Sequence, residues 1–294
     1  MMEISESGPA KQLSVVFICV NYNTPLVVPR FVRSVLKLRL AERARVVVVN
    51  NPSSPGERLS LATVDSRVTC VQPSANMGYM GGAAYGLCDF LKDSSFPEWV
   101  IVSNVDLEVD CEDFLERLTT FAYGDRVGIV APRIHSLLTG AEQNPYMSRR
   151  PSTFRMRAYT WLNTSYTVAM GYDLAAMVWK RVRGPRLDKG RLESIYAPHG
   201  SCMIFHRRYF EAGCTLVNPC FLFGEELVVA EAARCAGLQV VYDPQLTVKH
   251  LEHVSTGVLM SRHLFKYARN ASRYCAGTYF SGYKGPIGGC PPIA

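Results

Sequence analysis

The chain has 294 residues, 48% of them apolar and 19% charged, which is enough to bury a full α/β core and argues against disorder outside the ends. No run approaches the roughly 20 apolar residues of a membrane span, and residues 1–12, MMEISESGPAKQ, are polar, loose and lack a signal peptide's apolar core. The net charge is +7, and ten cysteines are scattered without a CxxC pair, which favours reduced, buried thiols in a cytoplasmic protein over disulfides or zinc.

In chain order, residues 13–20 (LSVVFICV) form a continuous β-branched run, expected as a buried parallel strand ended by Asn21, Tyr22, Asn23, Thr24 and Pro25. Residues 27–38 carry Phe31, Val32, Val35 and Leu36 at helical spacing. Residues 45–49 predict a second buried strand, residues 68–72 a short third, and residues 76–82 (NMGYMGG) a glycine-rich loop before a helix over 83–92. A fourth strand over 99–103, a helix over 111–121 and a strand over 127–131 complete an alternation that predicts a parallel sheet covered on both faces. After residues 149–190 interrupt it, a strand over 201–206, a helix over 225–236 and a strand over 239–242 follow; the tail from Ser281 reads as flexible.

In such sheets ligands bind outside the carboxyl ends of the strands, where Asn21, Asn23, Asn50, Asn51, Asn104 and Asp106 fall. Asp106, just past a buried strand, can hold a hard divalent cation that bridges a diphosphate, or can cap the helix that follows. The glycine stretch from Asn76 through Gly78 and Gly81 to Gly82 allows close backbone approach to a phosphate, or forms a tight turn; it matches neither a Walker loop nor GxGxxG.

Glu225 and Glu226 open a helical pattern behind the apolar Phe221-Leu222-Phe223-Gly224. They offset the helix dipole, or one of them serves as a general base whose proton affinity is raised by that apolar wall while the other contacts the acceptor. His250 can serve a metal or a phosphate, or be structural; His253 and Ser255-Thr256-Gly257 follow it, and His199 and Gly200 begin a strand that can line the same cleft.

Between Glu142 and Asp188 the only acid is Asp173, against Arg149, Arg150, Arg155, Arg157, Lys180, Arg181, Arg183 and Arg186 interleaved with aromatic residues. This segment reads as an anionic-membrane or acceptor surface, as a packed solvated face, or, least favoured, as a nucleic-acid site. No nucleic-acid partner is expected.

The blocks VNYNTP (20–25), NMGYMGG (76–82), NVD (104–106), HGSCMIFHRRYF (199–210) and FLFGEE (221–226) together resemble glycosyltransferase family 2, in its bacterial rhamnosyltransferase-like, surface-polysaccharide branch. The resemblance implies a GT-A fold: a Rossmann-like, mostly parallel sheet flanked by helices, here with a basic helical insertion. It divides the chain into a nucleotide-sugar half (13–140), the insertion (141–195), a catalytic and acceptor half (196–260) and a C-terminal helix with its tail (261–294). It further implies magnesium or manganese at Asp106 with His250, and a donor site at Asn21, Asn23, Asn50, Asn76, Gly78, Gly81, Gly82 and Asn104, with the glycine stretch closing on the donor. Glu226 matches the family's base, one methylene longer than the usual Asp, and Glu225, His199 and Gly200 fall to the acceptor. Asn104 replaces the first acid of the DXD-like motif, Val105 is its middle position, and Asn50 stands where an Asp is usual.

The implied reaction is inverting transfer from dTDP-rhamnose or a UDP-hexose to a growing, lipid-linked bacterial surface glycan, at the cytosolic face of the inner membrane, by a monomer or homodimer. A GT-A-like protein that binds nucleotide or glycan without turnover is the alternative.

Overall fold

A computed structural model of the chain describes residues 13–54, 65–183, 190–252 and 261–281, with the side chains of 177–183 left aside. His253, Ser255, Thr256 and Gly257, residues 1–12 and the tail beyond Ser281 lie outside the described residues, as do Arg186 and the side chains of Lys180, Arg181 and Arg183.

The elements run β1 (Val15–Asn21), α1 (Val28–Leu36), β2 (Ala44–Asn50), β3 (Val68–Val71), α2 (Gly78–Phe90), β4 (Trp99–Asn104), β5 (Leu107–Val109) and α3 (Phe114–Thr120). They continue with β6 (Val127–Ser136), α4 (Thr153–Leu162), α5 (Tyr166–Arg183), β7 (Glu193–Ile195), β8 (Cys202–His206), α6 (Arg207–Glu211), α7 (Glu225–Cys235), β9 (Gln239–His250) and α8 (Arg262–Tyr279).

One nine-stranded sheet, ordered β3-β2-β1-β4-β8-β6-β9-β5 with β7 on β9, holds the molecule together. β1, β2, β3, β4, β6 and β9 run one way, so the sheet is mostly parallel; β5, β7 and β8 run the other way. The mostly parallel sheet is as expected, and the antiparallel β8 lies between β4 and β6. Composition does not report direction, because a strand buried on both faces hides the same residues either way.

The two faces of the sheet follow the period of two along each strand. Val15, Phe17 and Cys19 of β1 point into one core with α1 and α3, while Val16, Ile18 and Val20 point into the other with α2, α6 and α7. A third core joins α4, α7 and α8 through Met156, Leu227, Val228, Ala230 and Cys275. Two buried carboxylates brace these layers: Asp243 takes Arg117 and Tyr123, and Glu231 takes Arg150 at 2.6 Å, Arg234 at 2.8 Å and Tyr196 at 2.6 Å. Arg150 is therefore spent on Glu231 and leaves the basic surface to which its sequence context assigned it.

Several boundaries move. Residues 76–82 are no loop: α2 begins at Gly78, so Gly81 and Gly82 lie in its first turns. α3 starts at Phe114, three residues later than the pattern suggested. β9 runs through Pro244 to His250 rather than ending at Tyr242; its pairing with β6 jumps from Pro132↔Asp243 to Arg133↔Thr247, and that bulge absorbs the proline.

Nine of the cysteines lie among the described residues and none is in a disulfide. No helix of the described residues is long and apolar enough to cross a membrane.

Candidate active site

β1, β2, β4, β6 and β9 deliver Asn21, Asn50, Asn104, Ser136 and His250 to one edge of the sheet. The first two are buried and brace each other: Asn21 Nδ2 donates to Asn50 Oδ1 at 2.7 Å, Thr24 Oγ1 donates to Asn21 Oδ1 at 2.9 Å, and Asn50 Nδ2 donates to Gln72 Oε1 at 3.1 Å. They form the floor of the crevice rather than free amides above it. Asn23, in contrast, is exposed at φ 57°. Asn104 donates its backbone N–H to Ser201 O at 2.9 Å, tying the end of β4 to the start of β8.

Asn76, with its Oδ1, and Asn51 together hold the start of α2: they accept the N–H groups of Gly78 at 2.9 Å and Met77 at 3.2 Å, and Asn51 Nδ2 donates to Gly78 O at 2.8 Å. Gly78 has φ 73°, and a Cβ there would stand 2.0 Å from Phe221 O. Only glycine fits, and its fit presses α2 against the Phe221–Gly224 segment that leads into the paired acids. The closing-loop role expected of this stretch fails for that reason: it is packed helix, fixed at both faces.

Asp106 and His250 meet at the mouth of the β4–β5 turn, both buried, with His250 Nε2 3.4 Å from Asp106 Oδ1. Backbone pairing sets this meeting, since Leu107 stands opposite His250 and Leu251 N–H donates to Asp106 O at 2.9 Å. A relay behind the ring fixes its tautomer. Gln143 Nε2 donates to Glu252 Oε1 at 2.9 Å, so Gln143 Oε1 faces His250 Nδ1 at 2.7 Å and takes its proton. In the neutral ring, Nε2 then offers a lone pair toward the same point as the Asp106 carboxylate.

Two acceptors facing each other just outside hydrogen-bond range fit a hard divalent cation. No group of three or more His, Cys, Asp or Glu able to hold a metal ion occurs among the described residues. A cation that keeps waters and takes phosphate oxygens needs only one or two protein ligands.

Glu225 and Glu226 form the first turn of α7, behind Gly224 at φ 79°. Gly200 connects them to the Asp106 side: a Cβ there would stand 2.8 Å from Glu226 Oε1 and 3.3 Å from Glu225 Oε1. The next residue back, His199, stacks edge-on with His250 at 6.3 Å and with Tyr146 at 5.4 Å. Its Nδ1 accepts from Ser201 N–H at 3.2 Å, and so also from Ser201 Oγ at 2.9 Å. One short chain of contacts, Asp106–His250–His199–Gly200–Glu226, therefore joins the two pairs of groups.

Burial and the neighbouring Glu226 push the Glu225 carboxyl up to about 8. Burial also raises Glu226, opposed by its own amide and by the Gly200 amide. Two adjacent acids in one dry turn do not ionise together cheaply. The Gly200 amide beside Glu226 favours charge there, and that charge keeps the proton on Glu225.

The sequence reading missed Gln143, which sits in a polar stretch with no pattern to mark it, and Tyr79, which lay in sight within the glycine block. The Tyr79 hydroxyl is buried with no hydrogen-bond partner among the described residues. Burial first, then the charges of Cys202, Glu225, Asp106 and Glu226, raise its pKa well above the usual phenol value.

Comparison with solved structures finds the same fold at low identity. The chain is similar to GalNAc-T7 with UDP, GalNAc and Mn2+ (TM-score 0.53, 14% identity, 84% of this chain and 45% of that one). It is similar to the mannosyltransferase PcManGT from Pyrobaculum calidifontis in complex with GDP-Man and Mn2+ (TM-score 0.50, 15% identity, 93% and 73%). It is also similar to S. aureus TarS (TM-score 0.52, 12% identity, 81% and 36%). The chain thus spans less than half the length of the GalNAc-T7 and TarS chains. No curated protein sequence matches it significantly.

The Glycosyl transferase family 2 model matches residues 14–213, a span that includes Asp106 and Gly200 and stops short of Glu226 and His250. With a GT-A sheet, polar groups gathered at its carboxyl edge and this match over most of its length, the chain belongs to glycosyltransferase family 2.

Proposed function

We propose that this protein transfers a sugar, with inversion, from a nucleoside-diphosphate sugar to an acceptor hydroxyl. The observation that carries the reading is the short chain of contacts linking the Asp106–His250 pair to the Glu225–Glu226 pair.

Asp106 and His250 would hold magnesium or manganese, which when bound offsets the charge that develops on the departing diphosphate. The donor base and ribose lie toward Asn23 and the Asn21–Asn50–Gln72 floor. The Glu226 carboxylate takes the proton of the acceptor hydroxyl. The hydroxyl oxygen forms its bond to the anomeric carbon as the bond from that carbon to the diphosphate oxygen breaks, and the electron pair leaves with the nucleoside diphosphate. Glu225, protonated, donates to the acceptor and keeps a second negative charge away from the base. Gly200 holds Glu226 in line, and His199 walls the cleft between donor and acceptor.

The donor classes that fit are dTDP-rhamnose and the UDP-hexoses of the family resemblance, together with the UDP and GDP-mannose bound by the structural neighbours. The acceptor is a glycan, carried on lipid.

The test is release of nucleoside diphosphate from a panel of UDP-glucose, UDP-N-acetylglucosamine, GDP-mannose and dTDP-rhamnose, with manganese and glycan acceptors. Wild-type protein releases it from one donor. Glu226→Gln abolishes release while that donor still raises the melting temperature by mass action. Unchanged turnover in Glu226→Gln refutes the base.

A further inference from the structure

We propose that the outward faces of α4 and α8 form a docking surface for an anionic lipid bilayer. On α4, Phe154 is 82% exposed and Trp161 69% exposed. Seven residues apart, they share one helix face, and the exposed Arg157 lies between them on it. Only Met156 of this helix is buried.

α8 repeats the pattern with charge. Arg262, Lys266 and Arg273 are exposed and recur at four and seven residues, so they form one stripe, opposite the buried Phe265, Ala268, Ala271 and Cys275. Neither helix contains a single Asp or Glu. The two helices pack together, with Thr160 Oγ1 of α4 donating to Ser272 O of α8 at 3.2 Å, so both belong to one side of the third core.

A plainly solvated helix face mixes both signs of charge and keeps large apolar side chains off its crest. Single-stranded nucleic acid also stacks its bases on aromatic side chains, but in a positively charged groove that tracks its backbone, whereas Phe154 and Trp161 project from the crest of one helix. Aromatic side chains on one helix face, cations beside them and no acids match a helix lying in a headgroup layer. Charge complementarity therefore selects anionic lipid as the occupant.

The same helix carries Tyr159 on its other side. Tyr159 of α4 stacks edge-on with Tyr172 at 6.4 Å, and the charge of Glu226 acts on both Tyr159 and Tyr146. On the glycosyl-transfer reading, docking would bring a lipid-carried acceptor to the side of the base; the docking itself does not depend on that reading.

The experiment is co-sedimentation of the full chain with vesicles of phosphatidylcholine alone or with about 30 mol% phosphatidylglycerol, without donor or metal. Wild type sediments with the anionic vesicles at least ~10-fold better than with the neutral ones. Phe154→Ser/Trp161→Ser weakens that binding by ~10-fold or more, and Arg262→Glu/Lys266→Glu removes the preference for anionic lipid, both with unchanged melting temperatures. The proposal is overturned if wild type binds neither vesicle, if both variants bind as wild type does, or if a duplex oligonucleotide competes the vesicles away. It is equally overturned if Phe154→Ser/Trp161→Ser dissolves a dimer in light scattering and leaves vesicle binding intact. Absence of nucleoside diphosphate release would count against the sugar-transfer reading alone and leave the sedimentation result standing.

Discussion

A methyl group on Gly200 would stand 2.8 Å from Glu226 Oε1, and the Gly200 amide lowers the proton affinity of that same carboxylate. The strand entering β8 and the first turn of α7 thus meet at a point with no spare room, and the atom that must yield is the reactive end of the side chain. Gly200→Ala is expected to alter stability by less than about 1 kcal/mol, because a flexible side chain can swing away. It is expected to lower kcat by about 100-fold, because a base displaced by about 1 Å loses its line to the acceptor. Thermal melting and steady-state kinetics on the same sample separate the two effects. A fall in melting temperature with retained kcat would show that Gly200 serves folding only.

The coupled acids give a pH signature. The Glu225 carboxyl sits at about 8 against an ordinary Glu value near 4.5. Between those values the folded state binds more protons than the unfolded state, so stability is full below about 4.5 and falls as pH rises toward 8. Glu225→Gln holds this position neutral at every pH and should flatten that decline while retaining substantial transfer. Glu226→Gln removes the like charge and should move the decline to lower pH while transfer is lost. Melting temperature measured from pH 4 to 9 for the three proteins reads both outcomes.

Much of this was legible in the sequence, for reasons that differ residue by residue. β1 and β2 are buried on both faces, so their unbroken β-branched runs mark them directly, and the strand-end polar residues fall where such a sheet needs them. Asp106 and His250 were nameable one by one, yet what joins them is the three-residue β5 opposite the end of β9, too short to leave a periodic pattern. The glycines of α2 misled because a glycine-rich stretch ordinarily marks a loop. Here Gly82 and Gly86 are helical and let the helix lie against Val20, Ile18 and Val49, and tertiary contact overrides propensity. The α8 stripe leaves a weaker mark in the sequence, because Arg262, Lys266 and Arg273 stand apart along the chain and gather only when it is wound into a helix.

Gln143 tests the metal reading without touching either proposed ligand. Its Oε1 accepts the His250 Nδ1 proton at 2.7 Å, and Glu252 fixes its amide from behind. Gln143→Leu removes the acceptor and frees the ring to turn, so affinity for Mn2+ in the presence of nucleoside diphosphate should fall about 10- to 100-fold. Titration by Mn2+ electron paramagnetic resonance checks this. An unchanged affinity would place the cation away from His250.

Arg150 carries a prediction about stability alone. Glu231 is fully buried, which by itself would raise its pKa, and the hydrogen bonds from Arg150, Arg234 and Tyr196 reverse that and lower it. Its contribution to stability is therefore present above the unfolded value and is lost as pH falls through the lowered one. Arg150 also donates to Tyr279 O at 2.7 Å and covers the ring of Phe280 at 4.2 Å, fastening the end of α8 to α7. Arg150→Met should cost about 2–3 kcal/mol, less than a fully broken buried pair because Arg234 and Tyr196 remain. Urea unfolding at pH 7 gives the value directly.

Tyr79 sets stability against function. Its hydroxyl is buried without a partner among the described residues, and burial, with Asp106, Glu225 and Glu226 nearby, keeps it protonated, a donor with no acceptor among them. Leaving such a group unsatisfied costs about 1–3 kcal/mol, so Tyr79→Phe should raise the melting temperature by relieving it. Natural chains keep that kind of penalty where a ligand will relieve it. The same variant should therefore lose about 5- to 10-fold in affinity for the nucleotide sugar, the equivalent of one hydrogen bond, and keep its affinity for the nucleoside diphosphate alone. Calorimetric titration of both ligands into both proteins makes the comparison. A gain in stability with equal loss of both affinities would place the phenol against the diphosphate instead of the sugar, and a loss of stability would mean the hydroxyl is satisfied within the fold.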